Sequence, residues 1–271
     1  MAITDLNGLI AGMLAPYPIF KPSATSEGTG TWHSLWKVAG APEAGANPPL
    51  FSAGSGYVPN NTTLGCLPFT NPVGGNTHLA KSAIAGGTVG TLIVYDRLWA
   101  CSGFGTVITT AQNVTTPGTI PSRDRNGAAL GAGVELWGEV YTAPGATAAT
   151  WTVSYTDQDG NTGQSATYAH PANAESVGQM FRFNLAAGDT GVRAVASFTA
   201  SVSSGTAGDI GITLVRRIAE IPIMVANVAQ LFDAVALGLP RIYDSSCLAL
   251  MVQCSTTNTG PIQGSLALAQ G

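Results

Sequence analysis

The stretch ATWTVSYTDQDGNTGQSATYAH, residues 149–170, decides the fold. Trp151, Val153 and Tyr155 share one parity, with Thr152, Ser154 and Thr156 between them. Successive side chains on a strand point to opposite faces, so this run reads as a half-buried strand. Asp157-Gln158-Asp159-Gly160-Asn161 follows, and then a second run rich in Ser, Thr and Tyr. A calcium loop of the EF-hand type needs its glycine sixth and a glutamate twelfth. Counted from Asp157, Gly160 is fourth and Tyr168 is twelfth, so that reading fails. Asp, Gly and Asn are also the residues that tolerate the left-handed backbone of hairpin turns. The stretch is therefore read as a β-hairpin.

The same grammar extends outward from this hairpin. Strands are expected at 89–99, 105–114, 133–142, 150–156 and 164–170, then at 179–185, 192–202, 210–217, 247–255 and 263–269. Short strands divided by turn-rich joints such as APGA, AAGDTG and SSGTAGD predict a mainly β chain. The expected class is antiparallel sheets of β-sandwich or jelly-roll type. One helix is expected at the start, capped by Thr4 and carrying Leu6, Leu9/Ile10 and Met13 on one stripe, with Pro16 and Pro18 ending it. A second is expected over 228–237, capped by Asn227 and stopped by Gly238 and Pro240. Residues 16–77 are rich in Pro, Gly and Asn without sustained periodicity. The predicted organisation is a helix and extended arm over 1–77 and a β body over 78–271.

Charged residues make up 10% of the 271, against about a quarter in an average soluble domain. Hydrophobic residues reach 45%, which argues against disorder. So neutral a surface favours association, and partner chains are expected to cover much of it. The formal net charge of −4 offers no basic footprint for nucleic acid. The N-terminal MAITDLNGLIAGMLAPYP lacks the basic start of a signal peptide. No apolar run reaches the length of a membrane span. Cys247 and Cys254 lie seven apart on one expected strand, about 23 Å at strand rise and on opposite faces. Buried free thiols are the expected state of all four cysteines, with a bridge through Cys66 or Cys101 left open.

No motif carries enzyme chemistry. GDTG at 188–191 contains the Asp-Thr-Gly triplet of aspartic proteases, but it occurs once and falls at a turn, whereas that chemistry needs two aspartates sharing a proton. His33, His78 and His170 are isolated, so neither a metal site nor a cofactor is expected. The densest charge clusters are YDRLW at 95–99 and RDRNG at 123–127. Their Arg97, Arg123 and Arg125 are expected to fix register or an interface through bidentate pairing. No nucleophile or base accompanies them.

Several phrases, in order, resemble a group of virion structural proteins of tailed bacteriophages. They are SLWKVAGAPEAGANP (34–48), PFTNPVGGNTHLAKSAIAGGTVGTLIVYDRLW (68–99), TVSYTDQDGNTGQSAT (152–167), LAAGDTGVRAVASFT (185–199), LPRIYDSSCLALMV (239–252) and GSLALAQG (264–271). The resemblance runs from about residue 30 to the end and implies a virion protein assembled in the host cytoplasm. The group has no catalytic motif to map onto this chain. The expected role is a head decoration or cement protein that contacts the major capsid protein and itself, as a cyclic oligomer such as a trimer. Trp32, Trp36, Phe51 and Phe69 in the arm are its expected interface anchors. The alternatives are a neck, tail or baseplate connector, or a receptor- or glycan-binding β-sandwich, the last marked by exposed Trp/Tyr beside Asp/Asn on neighbouring loops.

Overall fold

The computed structural model describes residues 3–22, 28–54, 56–116, 118–258 and 260–271. Helix α1 (Leu6–Gly12) opens the chain, followed by strands β1 (Tyr17–Lys21), β2 (Trp32–Ser34), β3 (Thr77–Gly86), β4 (Gly90–Gly105) and β5 (Gln112–Asn113). Next come β6 (Glu135–Thr142), β7 (Ala149–Asp157), β8 (Gln164–His170), β9 (Gln179–Arg182) and β10 (Val192–Ala200). The series ends with β11 (Asp209–Ile223), β12 (Gln230–Phe232), helix α2 (Ala234–Leu237), β13 (Arg241–Ile242), β14 (Leu248–Cys254) and β15 (Ile262–Gln270). The chain is mainly β and its sheets are antiparallel.

Two compact units share these elements. The first holds Met1–Ala46, Asn60–Asp96 and Arg217–Gly271; the second holds Asn47–Pro59 and Arg97–Arg216. The chain thus changes unit inside β4 and again inside β11. Residues 1–77 are divided between both units rather than set apart from a 78–271 body. Within the first unit β1 pairs along β15, and β2 pairs with β14. Pairing of that kind satisfies backbone N–H and C=O groups that an unattached arm would leave to water.

In the first unit, β1, β15, β3 and β12 lie side by side in that order, with β13 also on β3. Ile19, Ile84, Ile262 and Leu266 of this sheet share one core with Leu92 and Val94 of β4 and Leu250 and Val252 of β14. In the second unit the order is β5-β10-β7-β8. Trp151, Val153, Val195 and Phe198 from that sheet pack with Leu136, Val140, Phe181 and Ile212 from β6, β9 and β11. Each unit thus packs one face of a sheet against further strands around an apolar core, a sandwich-like arrangement, and β11, β4, β14, β2, β9 and β6 belong to a closed barrel.

The deciding hairpin forms as read. Trp151, Val153 and Tyr155 are fully buried, while Thr152, Ser154 and Thr156 between them are half-buried. β8 pairs with β7 from Ala149↔His170 to Tyr155↔Gln164. Asp157 organises the bend: its carboxylate accepts from the backbone N–H of Asp159 (2.9 Å) and Asn161 (2.8 Å) and from Asn161 Nδ2 (2.7 Å). Gly160 takes φ +91°, where an L side chain would be strained.

Three expectations change. The first helix is capped by Asp5, not Thr4, through a 2.7 Å bond from the Gly8 N–H to Asp5 Oδ1. The helix expected over 228–237 is half strand: 230–232 form β12, and Asp233 caps a short α2 that Gly238 closes in the left-handed region. Asn227 has φ +60° and turns the chain instead of capping it. The strand expected at 105–114 reduces to Gln112–Asn113, because β4 itself runs on to Gly105.

Gly138 lies opposite Phe181 across β6 and β9, and a Cβ there would come 2.2 Å from the Phe181 ring. We expect Gly138→Ala to overpack this core and to destabilise the protein by about 1–3 kcal/mol. Chemical denaturation measures it, and an unchanged midpoint would show that the ring has room to retreat.

Candidate functional site

The residues expected to anchor partners are for the most part enclosed by their own unit. Trp36 is 2% exposed, its indole Nε1 donates to the Ala46 carbonyl at 2.8 Å, and Gly45 and Gly65 wall its ring. Phe51 stacks on Phe104 at 4.7 Å between centroids, and Phe69 packs half-buried against the first core. Trp32 is half-buried at the start of β2. Arg97 is buried and donates through Nη2 to Glu139 (2.8 Å), the Tyr141 hydroxyl (2.9 Å) and Thr213 (3.0 Å). Arg123 is also buried and donates to the Pro59 carbonyl at 3.0 Å. Arg125 alone of the seven is exposed. Side chains as enclosed as Trp36, Arg97 and Arg123 have no surface left to offer another molecule.

What the first unit exposes is aliphatic. Leu6 (68%) and Ile10 (63%) stand out from α1, which buries none of its residues. Leu231 of β12 and Val235 of α2 are exposed to a similar or greater degree. A shallow groove of about 380 Å³ runs between the two helices, lined by Ile3, Leu6, Leu9, Ala234, Val235 and Leu239 with only Thr4 and Asp5 as polar neighbours. The helix is tied down at its far end. Leu14 N–H donates to the Leu268 carbonyl at 2.8 Å, and Gly12 lies so close to Gln270 that a Cβ would meet its carbonyl oxygen at 2.4 Å. Exposed apolar side chains gathered on one helix make this a candidate interaction surface. The stripe itself was readable as periodicity; its outward direction was not.

Groups with acid–base potential are used for structure. Within the second unit, His170 stacks on Trp151 at 4.2 Å, and its Nε2 lies 3.0 Å from the Gly145 carbonyl. Its Nδ1 faces Glu175 at 3.5 Å, and Glu175 also accepts from the Tyr168 hydroxyl at 2.5 Å. Burial works against charge on His170, but Glu175 and the Gly145 carbonyl outweigh it and raise the imidazole above its ordinary range. Both partners are 2% exposed, so no substrate reaches them. Asp189 of GDTG accepts from the Tyr155 hydroxyl. Asp124 of RDRNG, wholly buried, accepts from four backbone N–H groups, those of Asn126 (2.9 Å), Ala128 (2.8 Å), Leu130 (3.2 Å) and Ala132 (3.2 Å). Among the described residues no group of three or more His, Cys, Asp or Glu is placed to hold a metal ion. All four cysteines are buried thiols, and Cys66 shares a side-chain hydrogen bond with Cys247.

Two measurements check this assignment. Asp124→Ala should cost about 2–4 kcal/mol, because several buried N–H groups lose their acceptor together. A raised folded pKa contributes stability that is full below the ordinary histidine value of about 6.5 and fades as pH rises through the raised value. The stability difference between the wild type and Glu175→Gln should therefore be greatest in mild acid and shrink above neutrality. A pH-independent difference in unfolding midpoint would refute a charged His170–Glu175 pair.

No family model matches the chain, and no curated protein does. Among solved structures it is similar to one of the infectious bursal disease virus Gt strain, at 10% identity and a TM-score of 0.20, over 95% of this chain and 82% of that one. A likeness at that level carries no argument about what this chain does.

Proposed function

We propose that this chain is a structural component of a tailed-phage virion, a non-enzymatic head decoration protein that holds shell subunits together. One observation carries the reading: the largest exposed side chains of α1, β12 and α2 are aliphatic, in a chain of which only 10% is charged. The phrase resemblance from about residue 30 onward supplies the particle. The aliphatic face of the first unit supplies the attachment, and the major capsid protein is its partner. The glycan-binding alternative loses its expected sign, since Trp36, Trp99, Trp137 and Trp151 are buried and Trp32 is half-buried.

The attachment claim is local. Deleting residues 1–40 would also remove β1 and β2 from their sheets, so a smaller change is the better probe. We expect the double substitution Leu6→Asp, Ile10→Asp to leave the unfolding midpoint close to that of the wild type, because α1 buries none of its residues. Retention on purified particles should be lost. Full retention would remove α1 from the interface. A reconstruction of the intact particle tests the location: density on the head lattice supports decoration, and density confined to the neck, tail or baseplate makes the chain a connector.

A further inference from the structure

The second unit has a polar cavity of about 410 Å³ where the two charge-bearing turns singled out in the sequence, RDRNG and GDTG, come together. Its polar lining is Arg125, Glu135, Arg182, Asn184, Asp189 and Thr190. The loop that presents Arg125 is rigid, because Asp124 gathers four backbone N–H groups beneath it. Gly133 has φ +66°, and the Arg125 stem lies against it so closely that a Cβ would meet that stem at 3.3 Å.

The charges in the wall are unequally engaged. Glu135 Oε2 already accepts from Trp137 Nε1 at 2.8 Å, and Asp189 already accepts from Tyr155. Burial and the bond to Asp189 push the Tyr155 phenol up to about 12, so it remains a donor at physiological pH. Arg182, by contrast, is 55% exposed, and its Nη1 lies 3.7 Å from Glu135 Oε1, beyond hydrogen-bond reach. Both acids thus keep a donor if Arg182 turns to a ligand. Asn184 and Thr190 present an exposed amide and an exposed hydroxyl beside it. A guanidinium fork matches a carboxylate, while amide and hydroxyl groups both donate to and accept from ligand hydroxyls.

We propose that this cavity binds an acidic sugar, its carboxylate on Arg182 with Arg125 at the rim and its hydroxyls on Asn184 and Thr190. The size lies within the range of small-molecule sites. The lining, with Val134 and Leu185 its larger apolar members, offers little to a peptide's apolar side chains but suits a polyhydroxylated ring. This inference does not depend on the virion reading, and its failure would leave that reading standing.

The test is calorimetric titration of the full chain with glucuronate, glucose and a short glutamate peptide. Glucuronate should bind saturably and about tenfold more tightly than glucose, the margin of one charge-assisted contact. Arg182→Ala should remove that margin, and Thr190→Val should weaken both sugars; both positions are exposed, so unchanged unfolding midpoints would certify the fold. Competition by a polyuronate would identify a polymer as the source of the sugar, and absence of competition the free sugar, with the chemical class upheld in either case. The proposal is overturned if wild-type protein shows no saturable glucuronate binding, if glucose binds equally well, if the glutamate peptide binds as tightly, or if Arg182→Ala leaves the preference intact.

Discussion

Two adjacent residues in the middle of β4, Asp96 and Arg97, set the constraint on which the arrangement of strands depends. Both are buried, and a buried charge costs several kcal/mol unless it is paired and hydrogen-bonded. Strand alternation sends the two side chains to opposite faces. In the first unit Asp96 accepts from Ser246 Oγ (2.6 Å) and the Cys247 N–H (2.8 Å), which fixes where β14 begins against β4. In the second unit Arg97 reaches Glu139 and Tyr141 on β6 and Thr213 on β11. Slipping any of these strands by one residue would leave a charge without its partners. Apolar packing alone would penalise such a slip far less in this chain, because β4 is buried on both faces from residue 92 to 102 and its alternation specifies little.

That double burial also explains which parts of the fold were legible in the sequence. The 149–170 hairpin was readable because one face of β7 is buried and the other is not, so polarity alternates along it. β8 matches its expected range of 164–170 for the same reason. β3 was missed. A register shift in its pairing with β15 falls between Lys81↔Ala267 and Leu79↔Leu268, so Ala80 is an extra residue and the alternation changes phase midway. The end of β4 was misplaced because it continues through Gly103 at φ +89°, a residue that reads as a turn. The helix expected over 228–237 lost its first half because 230–232 pair with β3, a tertiary contact that no local side-chain pattern reports.

The candidate site was less legible, and the reason is chemical. Trp36 and Phe51 are large and apolar whether they face a core or a partner, so composition cannot separate the two fates. Their neighbours decide it: Gly45 and Gly65 make room for the Trp36 ring, and Phe104 receives Phe51. The arginines follow the same logic. Arg97 is drawn inward by Glu139, while Arg125, two residues from the buried Arg123, remains outside because the Asp124-centred turn directs it there. A turn held by one carboxylate looks, in sequence, like a cluster of charges.

The magnitude of the exposed face constrains how the chain could hold a shell together. Leu6, Ile10, Leu231 and Val235 are each largely but not fully exposed, and burying what they still expose would yield about 4–9 kcal/mol at about 1.5–3 kcal/mol per fully exposed side chain. Bringing two molecules together costs about 4–15 kcal/mol before any contact is counted. One such patch on one isolated subunit therefore gives weak binding at best. A closed oligomer that presents several copies to a lattice makes every contact after the first intramolecular, and its overall affinity rises by orders of magnitude with no new chemistry. A decoration role for this surface thus requires repetition. The enclosed aromatics cannot supply the missing energy, since their area has already gone to the core.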